Sequence, residues 1–229
     1  MKMRVVEIQQ SILRKNDGLA ANLRERFARS GTFVVNFLSS PGSGKTTLLE
    51  ETLRRLAPTL RVGALVGDQA TDNDARRLER SGAPVRQITT AAECRLDAGM
   101  VGKALAGWQT QTLDILFIEN VGNLICPAEY DLGEDLRVVL FSVTEGEDKP
   151  LKYPLAFNSS QITLITKIDL SGPVGFDREA AHSALAQVHP GATILEISAR
   201  SGAGMDAWIA ELKRRAAQKQ AVPASVPAS

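Results

Sequence analysis

The chain has 229 residues, a formal net charge of +1 and 23% charged residues. That length suits one domain with a core that needs no covalent or metal staples, and the near-neutral balance leaves no basic field for nucleic acid or acidic membranes. Residues 1–10 lack the apolar core of a signal peptide, and no run approaches the roughly eighteen apolar residues of a membrane span.

A cytoplasmic protein with no nucleic-acid and no membrane partner is therefore expected. In that reducing setting its two cysteines, Cys94 and Cys126, are expected to be free, metal-bound or merely packed. Apolar positions Val5, Ile8, Ile12, Leu13, Leu19, Leu23 and Phe27 recur at mostly three- and four-residue spacing and are interrupted by Asn16-Asp17-Gly18. One broken or two short amphipathic helices are predicted before the first strand. Strands are predicted at 33–38, 61–68, 85–88, 113–118, 136–143, 161–166 and 193–197. Helices are predicted after the loop at 39–46 and at 74–80, 96–108, 179–187 and 205–215. Strands alternating with helices predict an α/β fold, a mostly parallel sheet wrapped on both faces with an N-terminal helical extension.

Between the first strand and its helix lies Ser39-Ser40-Pro41-Gly42-Ser43-Gly44-Lys45-Thr46, followed by Thr47. Small residues there let consecutive backbone N–H groups turn around a polyphosphate. Lys45 reaches the β/γ end, and the Thr46 hydroxyl is placed to ligate Mg²⁺. The pattern is that of a P-loop NTPase with Ser39 in place of the usual first glycine. In such a fold the remaining chemistry sits where strands end at the carboxyl edge. The strand ending at Glu119, with Gly122 three residues on, has the layout in which a carboxylate supports Mg²⁺ and a glycine N–H approaches the γ-phosphate. Glu119 stands where Asp is commoner, so it either ligates directly or acts through a neighbour. Asp68 and Asp72 or Asp74 are further candidates for Mg²⁺ or for positioning water, although a strand-end Asp also serves as a helix cap.

Thr166-Lys167-Ile168-Asp169 resembles the Asn-Lys-x-Asp guanine-reading motif, with Thr for the leading Asn. Asp169 would accept from guanine N1–H and the 2-amino group while Lys167 lies over the base. Ser198-Ala199-Arg200 resembles the loop whose backbone N–H meets guanine O6. Their order and strand-end placement predict GTP rather than ATP. The expected organisation is a helical segment at 1–30, a P-loop GTPase domain at 31–215, and a disordered tail at 216–229.

Longer segments carry a more specific resemblance: Gly67-Asp68-Gln69-Ala70-Thr71, the run from Phe117 to Pro127 through Glu119-Asn120-Val121-Gly122-Asn123-Leu124-Ile125-Cys126, and Glu145-Gly146-Glu147-Asp148-Lys149-Pro150. With the P-loop they resemble the hydrogenase nickel-incorporation GTPases, the HypB family, over nearly the whole chain. The resemblance implies a GTP-dependent homodimer that hydrolyses GTP to GDP and phosphate. It also implies delivery of nickel to the large subunit of [NiFe]-hydrogenase, alongside a companion nickel chaperone.

In that family a Cys-His pair and the Cys of Leu-x-Cys-Pro bind nickel or zinc near the dimer interface. Cys94 and Cys126 match, but Arg95 replaces the histidine and cannot supply its nitrogen. Two cysteines from each of two subunits would still give a four-thiolate set suited to Zn²⁺ or Ni²⁺, and simple packing is the other reading. The chain has neither the Cys-rich motif nor the His-rich run found at the start of many members, and His182 and His189 are expected to be ordinary surface residues. The remaining alternatives are a GTP-dependent switch without metal transfer and a paralogue serving another nickel enzyme such as urease.

Overall fold

The computed structural model describes residues 2–68, 73–90, 93–108 and 112–221. A long helix α1 (Lys2–Ser30) leads into β1 (Phe33–Ser39), α2 (Lys45–Leu56), β2 (Val62–Asp68), α3 (Asn73–Glu79), β3 (Val85–Thr89), α4 (Ala98–Ala104) and β4 (Ile115–Glu119). A 3-10 turn, Cys126–Glu129, precedes β5 (Leu136–Ser142). Two short helices follow, α5 (Lys149–Lys152) and α6 (Pro154–Asn158). The chain then runs through β6 (Ile162–Thr166), α7 (Ser171–Val174), α8 (Arg178–Val188), β7 (Thr193–Ile197) and α9 (Met205–Ala221).

The seven strands form one sheet in the order β3-β2-β4-β1-β5-β6-β7, and every pairing is parallel. All of β1, β4 and β6 is buried, as expected for parallel strands covered on both faces, which read as continuous apolar runs. Alternation sorts their side chains: Phe33, Val35 and Phe37 pack with Leu49 and Leu53 of α2 and Trp208 and Leu212 of α9. Val34, Leu65 and Leu116 face the opposite layer with Leu23 and Phe27 of α1 and Val101 of α4. Beyond β5, Phe141 and Ile165 pack with Phe157 of α6 and Leu185 of α8. The expected α/β P-loop architecture is thus present, with helices on both faces.

Several boundaries differ from expectation. The Asn16-Asp17-Gly18 break is absent, and α1 runs through it. Asn16 is 4% exposed; its amide donates to the Asp131 carbonyl at 2.8 Å and its oxygen accepts from the Ala98 N–H at 2.9 Å. Both amide groups are used for docking, so they do not compete with the helix backbone, and Gly18 alone costs only about 1 kcal/mol. Helix α4 is shorter than the predicted 96–108, capped by the Asp97 carboxylate accepting from the Met100 N–H at 2.7 Å. Helix α9 passes the expected end at 215 to Ala221: Ala216 is buried and Lys219 donates to Asp135. Among the described residues no helix is long and apolar enough to cross a membrane.

Candidate functional site

β1 lies at the middle of the sheet, between β4 and β5, so the loop after it opens at the carboxyl edge where the chain turns to opposite sides, the usual crevice for ligands in such sheets. Gly42 and Gly44 take φ of 76° and 92°, which bends the loop back so that α2 begins with Lys45 and its first N–H groups face outward. Ser39 sits at the end of β1, buried, and does not belong to the positive-φ residues; a serine therefore fits where the pattern has glycine.

A cavity of about 560 Å³ opens over this loop, lined by residues 39–47 together with Asp68, Asp74, Arg77, Val121, Gly122 and Lys167. A second cavity of about 260 Å³ is lined by Thr166, Lys167, Asp169, Leu170, Ile197, Ser198, Ala199 and Arg200. The two share Ser43, Gly44, Thr47 and Lys167. They form one slot with a polar, glycine-walled end and a narrower end closed by an acid and a loop.

Most of the residues singled out from sequence meet in this slot. The exceptions are instructive. Glu119 lies behind the loop, 1% exposed, where one carboxylate oxygen accepts from Lys45 Nζ at 3.0 Å and from the Thr46 hydroxyl at 2.6 Å. Its other oxygen is buried with no partner. Asp72 lies outside the described residues. Gly122 passes so close to the loop that an added Cβ would meet Pro41 Cα at 3.2 Å, which accounts for glycine at this position.

Thr166 replaces the leading Asn of the base motif, and its hydroxyl donates to the Ser43 carbonyl at 2.7 Å, bracing β6 against the phosphate loop. Lys167 takes φ of 59°, and its Nζ donates to the Gly42 carbonyl at 2.6 Å, which lays its stem across the slot. Ser198 accepts from the Ser201 N–H at 3.1 Å, closing the loop after β7. Sequence reasoning missed Arg77, which belongs to no motif but lines the wider cavity.

Residues 33–196 match the family model described as CobW/HypB/UreG, nucleotide-binding domain. The chain is 49% identical over 214 residues to the hydrogenase maturation factor HypB of Azotobacter chroococcum mcd 1, covering 93% of this chain and 70% of that protein. The chain belongs to the HypB family. Among solved structures, HypB from Helicobacter pylori in complex with nickel superposes with a TM-score of 0.85 at 36% identity, over 93% of this chain and all of that one. HypB from Archaeoglobus fulgidus gives 0.83 at 39% identity, over 89% and 99%.

The cysteines of this HypB-family chain lie beside the Gly122 segment. Asn123 Nδ2 donates to the Cys94 carbonyl at 3.4 Å, and the Leu96 N–H donates to Asn120 at 3.0 Å. A hydrogen bond with Cys94, together with burial, pushes the Cys126 thiol above its ordinary range. Arg95 is turned onto the Tyr130 ring, 4.0 Å from its centroid, and pairs with Glu93 at 2.9 Å. Among the described residues no group of three or more His, Cys, Asp or Glu converges. The described residues of one subunit therefore offer two thiols and no third ligand. His182 is engaged by Glu196 and His189 by the Phe157 carbonyl.

Proposed function

We propose that the chain is a GTPase whose nucleotide cycle assists nickel delivery to the large subunit of [NiFe]-hydrogenase. The observation that carries the reading is the continuous slot, in which the phosphate loop and the Asp169 pocket share four residues. The nickel-bound structural relative and the hydrogenase maturation factors among its relatives support the client.

In this reading Asp169 accepts from the two guanine N–H groups, and the loop after β7 meets O6 through its backbone. Adenine would leave the carboxylate unpaired. The N–H groups opening α2 cradle the phosphates, and Lys45 offsets charge that builds on the β/γ oxygens as water attacks the γ-phosphorus and GDP leaves. Asp68 and Asp74 on the rim orient that water, and the Gly122 N–H faces the γ-phosphate. The hard oxygen donors beside the cradle, with the unpartnered Glu119 oxygen behind Thr46, fit Mg²⁺ held by Thr46 with Asp68 and Glu119, where it would neutralise phosphate charge.

The Cys94 and Cys126 thiols of two subunits, brought together as a GTP-dependent homodimer, would hold nickel or zinc for transfer with a companion nickel chaperone. Expressed in a hydrogenase-producing host that lacks its own maturation GTPase, the chain should restore nickel content and activity of the large subunit. Lys45→Ala should fail while accumulating to the same level. Equal restoration by both proteins, or by neither, contradicts the reading.

A further inference from the structure

Among the described residues three cations line the phosphate cavity: Lys45, Arg77 and Lys167. The phosphate and base motifs account for the two lysines and leave Arg77 unexplained. It lies in the last turn of α3; its side chain is 37% exposed and lines the cavity. Its guanidinium is held from one side: Nε donates to Glu50 at 2.6 Å and Nη2 to the Thr47 hydroxyl at 3.0 Å. Nη1 makes no hydrogen bond to the described residues.

The position of Thr47 fixes which phosphate this guanidinium meets. The γ end of the cavity is marked by Gly122 against Pro41 and by Lys45 reaching Glu119. Thr47 lines both the phosphate cavity and the base pocket, so the phosphate that passes it is the one nearest the nucleoside. We propose that Arg77 is a ligand of the α-phosphate, kept in place beside the slot by Glu50 and Thr47, and that it binds nucleoside triphosphate and diphosphate alike. Arginine suits the role because its planar fork spends two N–H groups on the protein and presents the rest to an oxyanion. A contact to the α-phosphate survives hydrolysis, so it retains product as strongly as substrate and makes release of the diphosphate a step that Arg77 slows.

This inference rests on nucleotide binding in the slot, and the test separates the two. Dissociation constants for GTP, GDP and ADP are measured by calorimetry for wild type, Arg77→Ala, Arg77→Lys and Glu50→Gln, with thermal unfolding of each apo protein. Arg77→Ala should weaken GTP and GDP by the same factor, about tenfold or more for one charge-assisted contact, and speed GDP release. Arg77→Lys should recover part of the loss, and Glu50→Gln, which keeps the guanidinium, should retain affinity. Equal melting losses in Arg77→Ala and Glu50→Gln with unchanged nucleotide affinity would make Arg77 a mere strap between α3 and α2, overturning the proposal. A loss confined to GTP would place it at the γ end, also overturning it. If wild type prefers ADP to GDP, the guanine reading falls, while the ADP series across the variants still decides Arg77. If wild type binds no nucleotide, both fall.

Discussion

Arg95 shows how a single residue changes the chemistry available beside the nucleotide. The resemblance puts a histidine there, yet the chain places a guanidinium stacked on Tyr130 and paired with Glu93. That charge is fixed, repels a cation and donates no lone pair. The raised Cys126 thiol adds to the difficulty, since a thiol must lose its proton to ligate. Arg95→His should therefore tighten Zn²⁺ or Ni²⁺ binding, and Cys126→Ala should weaken it, in titrations with GDP and with a non-hydrolysable GTP analogue. Because Cys126 lies four residues beyond Gly122, the nucleotide that orders this segment should shift the metal affinity, and metal should shift nucleotide affinity by the same factor. Identical isotherms for all three proteins would make the cysteines structural. Thr166 is a gentler departure: its hydroxyl braces β6 to the phosphate loop through the Ser43 carbonyl.

At the scale of elements, the strand, loop and helix around Lys45 were legible because a buried parallel strand must be apolar throughout and the loop after it must be small. The seven strands were legible for the first of these reasons. The continuity of α1 was not. Asn16-Asp17-Gly18 carries the residues that ordinarily end helices, and what overrides them lies far along the chain: Ala98 at a separation of 82 and Asp131 at 115. No local pattern reports such partners. Arg77 was invisible for the same reason, since Thr47 is 30 residues away. Asn16→Ala should leave the buried Ala98 N–H and the part-buried Asp131 carbonyl unpaired and lower stability by about 1–3 kcal/mol. It should be read as a lower urea midpoint at unchanged slope, with nucleotide affinity preserved because α1 lies on the face away from α2. An unaltered midpoint would show that α1 docks through its apolar side chains alone.

For the whole molecule, the sheet order brings five separate loops to one edge. The phosphate loop follows β1, Asp68 ends β2, Gly122 follows β4, and Asp169 and Ser198–Arg200 follow β6 and β7. A phosphate cradle of backbone N–H groups and a lysine does not distinguish one nucleoside triphosphate from another, so in the proposed reading guanine selectivity decides whether the chain works as a GTPase. It is tested most directly by competing GTP, ATP and xanthosine triphosphate for wild type and Asp169→Asn. The account predicts that wild type prefers GTP over ATP. Asp169→Asn should lose about 2–5 kcal/mol of GTP binding, the range for one partner of a buried charged hydrogen-bonded pair, and gain xanthosine triphosphate, whose extra carbonyl the amide can meet. ATP competing equally with GTP for the wild type, or an Asp169→Asn protein with unchanged base preference, would contradict it.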